Sequence, residues 1–166
     1  MELGADLVVP VFIGVASKDY GVRPLLDALV RETPEPQITA ERRGIDLSSS
    51  EPLVQVLKTY YSPQGGKLSL ARLWRGTLKD GASLGVDRMG GLYSLMGSQQ
   101  QALSAAEAGS VVAIARLEHA KTGDTLSTTD ATETLPIADI QTAVSSLAIA
   151  TEKRADEDKL SGALNK

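Results

Sequence analysis

The sequence predicts a mainly β fold, a small closed antiparallel β-barrel flanked by truncated α/β pieces at both ends. Three observations carry this. Residues 51–129 alternate short apolar runs with glycine-containing turns, the texture of a barrel whose closure removes exposed strand edges. Residues 1–36 hold one apolar run and one amphipathic pattern, half of an α/β unit that cannot enclose a core alone. Residues 130–166 likewise hold one short apolar run and the opening of a helix.

In chain order, Leu7-Val8-Val9-Pro10-Val11-Phe12-Ile13-Gly14 is apolar on both faces and reads as a buried strand of a parallel sheet. Apolar residues at 22, 25, 26, 29 and 30 recur at helical spacing, so 22–31 reads as an amphipathic helix. Pro24 sits in its first turn, where no intrahelical amide bond is lost, and Thr33-Pro34-Glu35-Pro36 stops it. Residues 37–50 turn polar and read as a linker. Residues 53–61 read as a strand, 62–66 as a turn, and 68–78 as the next strand, after which Lys79-Asp80-Gly81 carries a hairpin signal. Residues 82–86, 92–96, 110–117 and 122–126 complete the β segment. Residues 146–150 read as a strand, and 155–164 as a helix with acids in its first turn, where they suit the dipole.

The chain has 166 residues, 42% of them hydrophobic, which suits one medium domain with appendages. The absence of cysteine excludes disulfide frameworks and thiolate metal sites. No run of about 18 apolar residues is available to span a membrane, and residues 1–6 lack a basic leader, so a cytoplasmic protein is expected. The net charge is −4, but residues 45–129 carry eight Lys and Arg against seven Asp and Glu. The middle is therefore the segment best able to present a modest basic face.

Four separated motifs add to this. They are Pro10-Val11-Phe12-Ile13-Gly14 with Lys18, Gly21-Val22 and Pro24-Leu25-Leu26-Asp27-Ala28; Gly66-Lys67-Leu68 with Arg72-Leu73-Trp74-Arg75-Gly76-Thr77-Leu78-Lys79-Asp80-Gly81; Glu107-Ala108-Gly109 with Thr122-Gly123-Asp124-Thr125-Leu126; and Leu147-Ala148-Ile149 with Lys153 and Ala155-Asp156-Glu157-Asp158-Lys159-Leu160. In this order and spacing the chain resembles elongation factor G. The resemblance implies the last strand and helix of a GTPase domain at 1–36 and a linker at 37–50. It implies the translation-factor barrel at 51–129, then a linker and the start of a third domain at 130–166. Val15 replaces a serine of the family's guanine-contacting loop, Ser110 replaces an acid, and Ala143-Val144-Ser145-Ser146 lacks a proline-rich entry. These departures suggest an elongation-factor-G-like paralogue.

The resemblance further implies a ribosome-contacting part of a factor whose parent couples GTP hydrolysis to translocation. The implied partners are small-subunit ribosomal RNA and the parent's GTPase and third domains, with self-association through the truncated ends a further expectation and no membrane partner. GTP and Mg belong to the parent; no cofactor is expected for this chain. Arg72, Arg75 and Lys79 are the RNA-binding candidates, because the family docks this hairpin on RNA and a guanidinium fork suits phosphate. Ala16 and Ser17 fall at a vestigial guanine loop. No catalytic or metal-ligating residue is expected. The phosphate-cradling pattern G-x-x-x-x-G-K-[ST] fails at Gly65-Gly66-Lys67, since Tyr61 and Leu68 hold required positions. His119 reads as solvated and Trp74 as a packing residue. The alternatives are a stand-alone RNA-binding barrel, an autonomous hydrolase, and a ribosome-protection or ribosome-recycling paralogue.

Overall fold

The computed structural model describes residues 8–62, 66–97, 99–129, 133–137 and 143–164. Its elements are α1 Val22–Glu32, α2 Pro36–Arg42, β1 Leu53–Ser62, β2 Gly66–Arg75, β3 Thr77–Lys79, β4 Ser83–Leu84, β5 Asp87–Arg88, β6 Gly91–Met96, β7 Gln99–Ala102, β8 Ala105–Glu107, β9 Val111–Ala115, β10 Thr125–Ser127 and α3 Glu157–Leu164. The fold is mainly β. An antiparallel sheet runs in the order β10-β1-β2-β9-β6-β7, and β3 pairs with β8 and β4 with β5 in two smaller sheets.

Side chains alternate across each strand, so every second residue of the long strands faces one core. Val54 and Val56 of β1, Ala71 and Leu73 of β2, and Val112 and Ile114 of β9 meet Leu78, Leu84, Met89, Leu92 and Leu117 there. Burying each such Leu or Ile contributes about 2 kcal/mol, which makes this cluster the main source of stability. The β1–β2 register shifts between Leu53 and Val54 and again between Val56 and Lys58. Trp74 and Leu57 are the residues left without a cross-strand mate, and such bulges bend and twist the ribbon.

Several local readings are corrected by long-range pairing. Residues 8–14 form no strand, and Val9, Val11 and Ile13 are exposed. A parallel strand needs a neighbouring ladder, and none lies beside this run among the described residues. Residues 146–150 are likewise unpaired, with Leu147 94% exposed. Helix α1 forms where its periodicity places it, but Leu25, Leu26, Leu29 and Val30 remain exposed. The strand expected over 68–78 breaks at Gly76, whose φ is +74. Beyond the break, β3 pairs with β8 through Thr77↔Glu107 and Lys79↔Ala105. Residues 79–82 make a tight turn, Ala82 N donating to Lys79 O at 3.2 Å, but that turn does not join paired strands. Strands β7 and β8 escape the sequence reading because glutamine and alanine carry little β preference; pairing with β6 and β3 makes them. The polar stretch 37–50 contains most of α2, with Pro36 at the position where a missing amide costs nothing. The turn expected at 62–66 falls mostly on residues 63–65, outside the described residues.

Candidate functional site

Two of the three candidate basic residues, Arg72 and Arg75, lie at the end of β2, and Lys79 lies at the end of β3. In β2, Leu73 enters the core while Trp74 packs with Ala40, Ile45, Leu53 and Leu135. Trp74 is 7% exposed, as its packing role requires. Its Nε1 donates to Gln55 Oε1 at 3.0 Å, and Gln55 Nε2 donates to Pro136 O at 3.2 Å. The guanidinium carbons of Arg43 and Arg72 lie 4.9 and 4.8 Å from the indole centroid. Both are within cation–π range, where the ring's negative face attracts the cation. Arg72 Nε is buried and has no hydrogen-bond partner among the described residues.

Arg75 is committed elsewhere. Its Nε donates to Glu51 O at 3.0 Å, and its Nη1 donates to Asp46 O at 2.7 Å and Glu133 Oε2 at 3.1 Å. The side chain is 11% exposed and ties the segments before β1 and after β10 to one corner. The hydroxyl and amide of Ser48, with a further contribution from the Arg75 charge, hold the Asp46 carboxyl below its ordinary 3.8. Lys79, at the end of β3, is exposed. The three candidates thus divide into one stacked arginine, one internal clamp and one open ammonium.

Ala16 and Ser17 lie in an exposed 3-10 turn, Ala16–Lys18. The turn is closed by Val15 N donating to Tyr20 O at 2.9 Å and Tyr20 N donating to Val15 O at 3.2 Å. Lys67 is 8% exposed, and its Nζ donates to Glu118 O at 2.6 Å and Ala120 O at 2.7 Å. Two of its three N–H donors are thus taken up by carbonyls of the chain itself.

The His119 side chain is exposed, as its polar loop implies, and it also meets Asp87. Its Nδ1 lies 2.7 Å from Asp87 Oδ1, and its amide donates to Asp87 Oδ2 at 2.8 Å. Burial pushes the Asp87 carboxyl up, but the bonds from His119 outweigh it and hold the group below 3.8. Among the described residues no group of three or more His, Asp or Glu is placed to hold a metal ion. No helix there is long and apolar enough to cross a membrane. Sequence reasoning missed Arg43, which lies in the stretch read as linker, and Gln55, which reads as an ordinary strand residue. The Arg42-Arg43 pair is the only signal that could have marked the first.

Residues 52–129 match the family model of elongation factor G domain 2. The chain is 53% identical over 166 residues to an elongation factor G-like protein of Synechocystis sp., an overlap covering 99% of this chain and 24% of that protein. It also resembles a crystal structure from Thermus thermophilus, with TM-score 0.75 and 31% identity, covering 96% of this chain and 24% of the other. The chain therefore spans about a quarter of the length of these relatives.

Proposed function

We propose that the chain, whose residues 52–129 match elongation factor G domain 2, is a ribosome-contacting part of a translation factor of that family of GTPases. The observation that carries the proposal is 53% identity extending through the whole chain, well beyond the domain that the family model covers. The parent factor would couple GTP hydrolysis to translocation in the cytoplasm.

In this reading the sheet closes into a barrel, with the short strands bridging its ends. Gly85 N donating to Ser127 O at 3.0 Å, and Asp80 N donating to Ser104 O at 2.9 Å, support that closure. The barrel occupies 51–129, after GTPase-domain residues 1–36 and a linker at 37–50; the linker and start of the third domain follow at 130–166. Small-subunit ribosomal RNA meets Lys79 and the exposed part of Arg72, while Arg75 holds the corner that presents them. Phosphate contacts of this kind position a protein without reading sequence. The exposed turn at Ala16 and Ser17 would face the guanine of the parent's nucleotide. GTP and Mg are held by other parts of the parent.

Co-sedimentation with small ribosomal subunits across a salt series tests the proposal. Binding is expected at low salt, and Lys79→Ala should reduce the slope of log affinity against log salt by about 1, the amount that neutralising a single phosphate contributes. Absence of binding at low salt, or an unchanged slope in the variant, would count against the RNA contact.

A further inference from the structure

The chain holds a single Asp-Gly pair, Asp80-Gly81, and the fold turns its carboxyl onto the following amide. Gly81 N donates to Asp80 Oδ1 at 2.9 Å, so the carboxyl carbon bonded to that oxygen stands close to a nitrogen one residue on, the condition for an intramolecular attack. Other aspartates that accept from a backbone amide reach past the adjacent residue: Asp46 to Ser48, Asp87 to His119 and Asp124 to Lys121. The turn also holds both reacting groups in place. Asp80 N donates to Ser104 O at 2.9 Å, Ala82 N donates to Lys79 O at 3.2 Å, and Arg88 Nε donates to Gly81 O at 3.2 Å. Gly81 takes a φ of +75, and the space where a Cβ would stand is open. Its nitrogen therefore has no side chain shielding it from that side, and Asp80 is exposed to water.

We propose that Asp80 is a site of spontaneous succinimide formation, through which this turn converts to an isoaspartyl linkage. The Gly81 N–H is directed at the carboxyl, so loss of its proton leaves an electron pair aimed at Cγ. The N–Cγ bond forms, and one carboxyl oxygen leaves as water with the amide proton and one proton from solvent. Water then opens the ring at either carbonyl. Opening at Cγ restores aspartate. Opening at the Asp80 main-chain carbonyl instead routes the chain through Cβ and Cγ and leaves the carboxylate on Cα. That product adds one carbon to the backbone of a turn whose bonds to Ser104 and Lys79 fit the shorter path. None of this chemistry requires a ribosomal partner.

The full chain is incubated at physiological temperature in native buffer and, in parallel, unfolded in guanidinium chloride. Isoaspartate is assigned to residue 80 by methylation with an isoaspartate methyltransferase and by fragment ions of the tryptic peptide 80–88. It is expected to accumulate at least about threefold faster in the folded chain, because the turn holds one of the three staggered side-chain positions that the unfolded chain samples. Asp80→Glu, whose longer side chain closes a less favoured six-membered ring, should abolish the signal at this position. Isoaspartate that is absent at 80, or that forms no faster in the folded chain than in the unfolded one, overturns the proposal. A methylation signal undiminished in Asp80→Glu does the same.

Discussion

Arg75 carries a charge that is spent almost wholly on the chain's own acceptors. Replacing it by alanine leaves the carbonyls of Glu51 and Asp46 and the Glu133 carboxylate without their donor. Arg75→Ala is expected to cost about 2–3 kcal/mol, measured by urea unfolding, since bonds to charged groups exceed the usual net value. A loss within experimental error would show that Trp74 packing holds the corner alone. Asp87 makes a second prediction, because its carboxyl is held below 3.8 by His119 against the opposing effect of burial. A depressed folded pKa contributes stability that is complete above the ordinary value and lost as pH falls through the folded one. Melting temperature should therefore fall on the acid side, and Asp87→Asn should flatten that part of the profile. An unchanged acid limb in the variant would separate Asp87 from acid stability.

Gly76 decides where one strand ends and another begins. Its φ of +74 favours glycine, and a Cβ there would stand 2.6 Å from Ser50 O and 2.8 Å from Pro52 N. Gly76→Ala should cost about 2–3 kcal/mol from the backbone conformation and the clash together. Thermal unfolding reads the loss, and a neutral result would show that the 50–52 segment gives way. Helix α2 illustrates the opposite dependence. Seven residues are too few to persist as an isolated helix, so packing such as that of Ala40, 1% exposed, is what holds it. Local composition at 37–50 could not distinguish this from a linker, because the partner, Trp74, lies in another strand.

Across the whole molecule, stability should be uneven. The interior amides of β1, β2 and β9 lie in paired ladders over the main core, while residues 8–14 and 143–150 have no secondary structure and are exposed. Hydrogen exchange should be slowest in the three strands and near the unprotected rate in the two terminal runs, which open without disturbing the core. Strong protection of 8–14 would mean that the run pairs in solution, for example with a second copy. The exposed apolar side of α1 belongs to the same scale, since helical periodicity makes an amphipathic surface without supplying what covers it.

Helices α1 and α3, the long strands β1, β2, β6 and β9, and the resemblance to elongation factor G were all legible in the amino-acid order alone. These depend on periodicity and motif spacing, which are written in neighbouring residues. Long-range packing was needed to establish that β3 pairs with β8, that 37–50 contains a helix, and that 8–14 and 146–150 form no strand. It also set the separate fates of the arginines: Arg72 joins Arg43 on Trp74, while Arg75 turns to Asp46, Glu51 and Glu133. Ladder partners and hydrogen-bond acceptors come from residues far along the chain, and no local pattern says which of them folding will bring within reach.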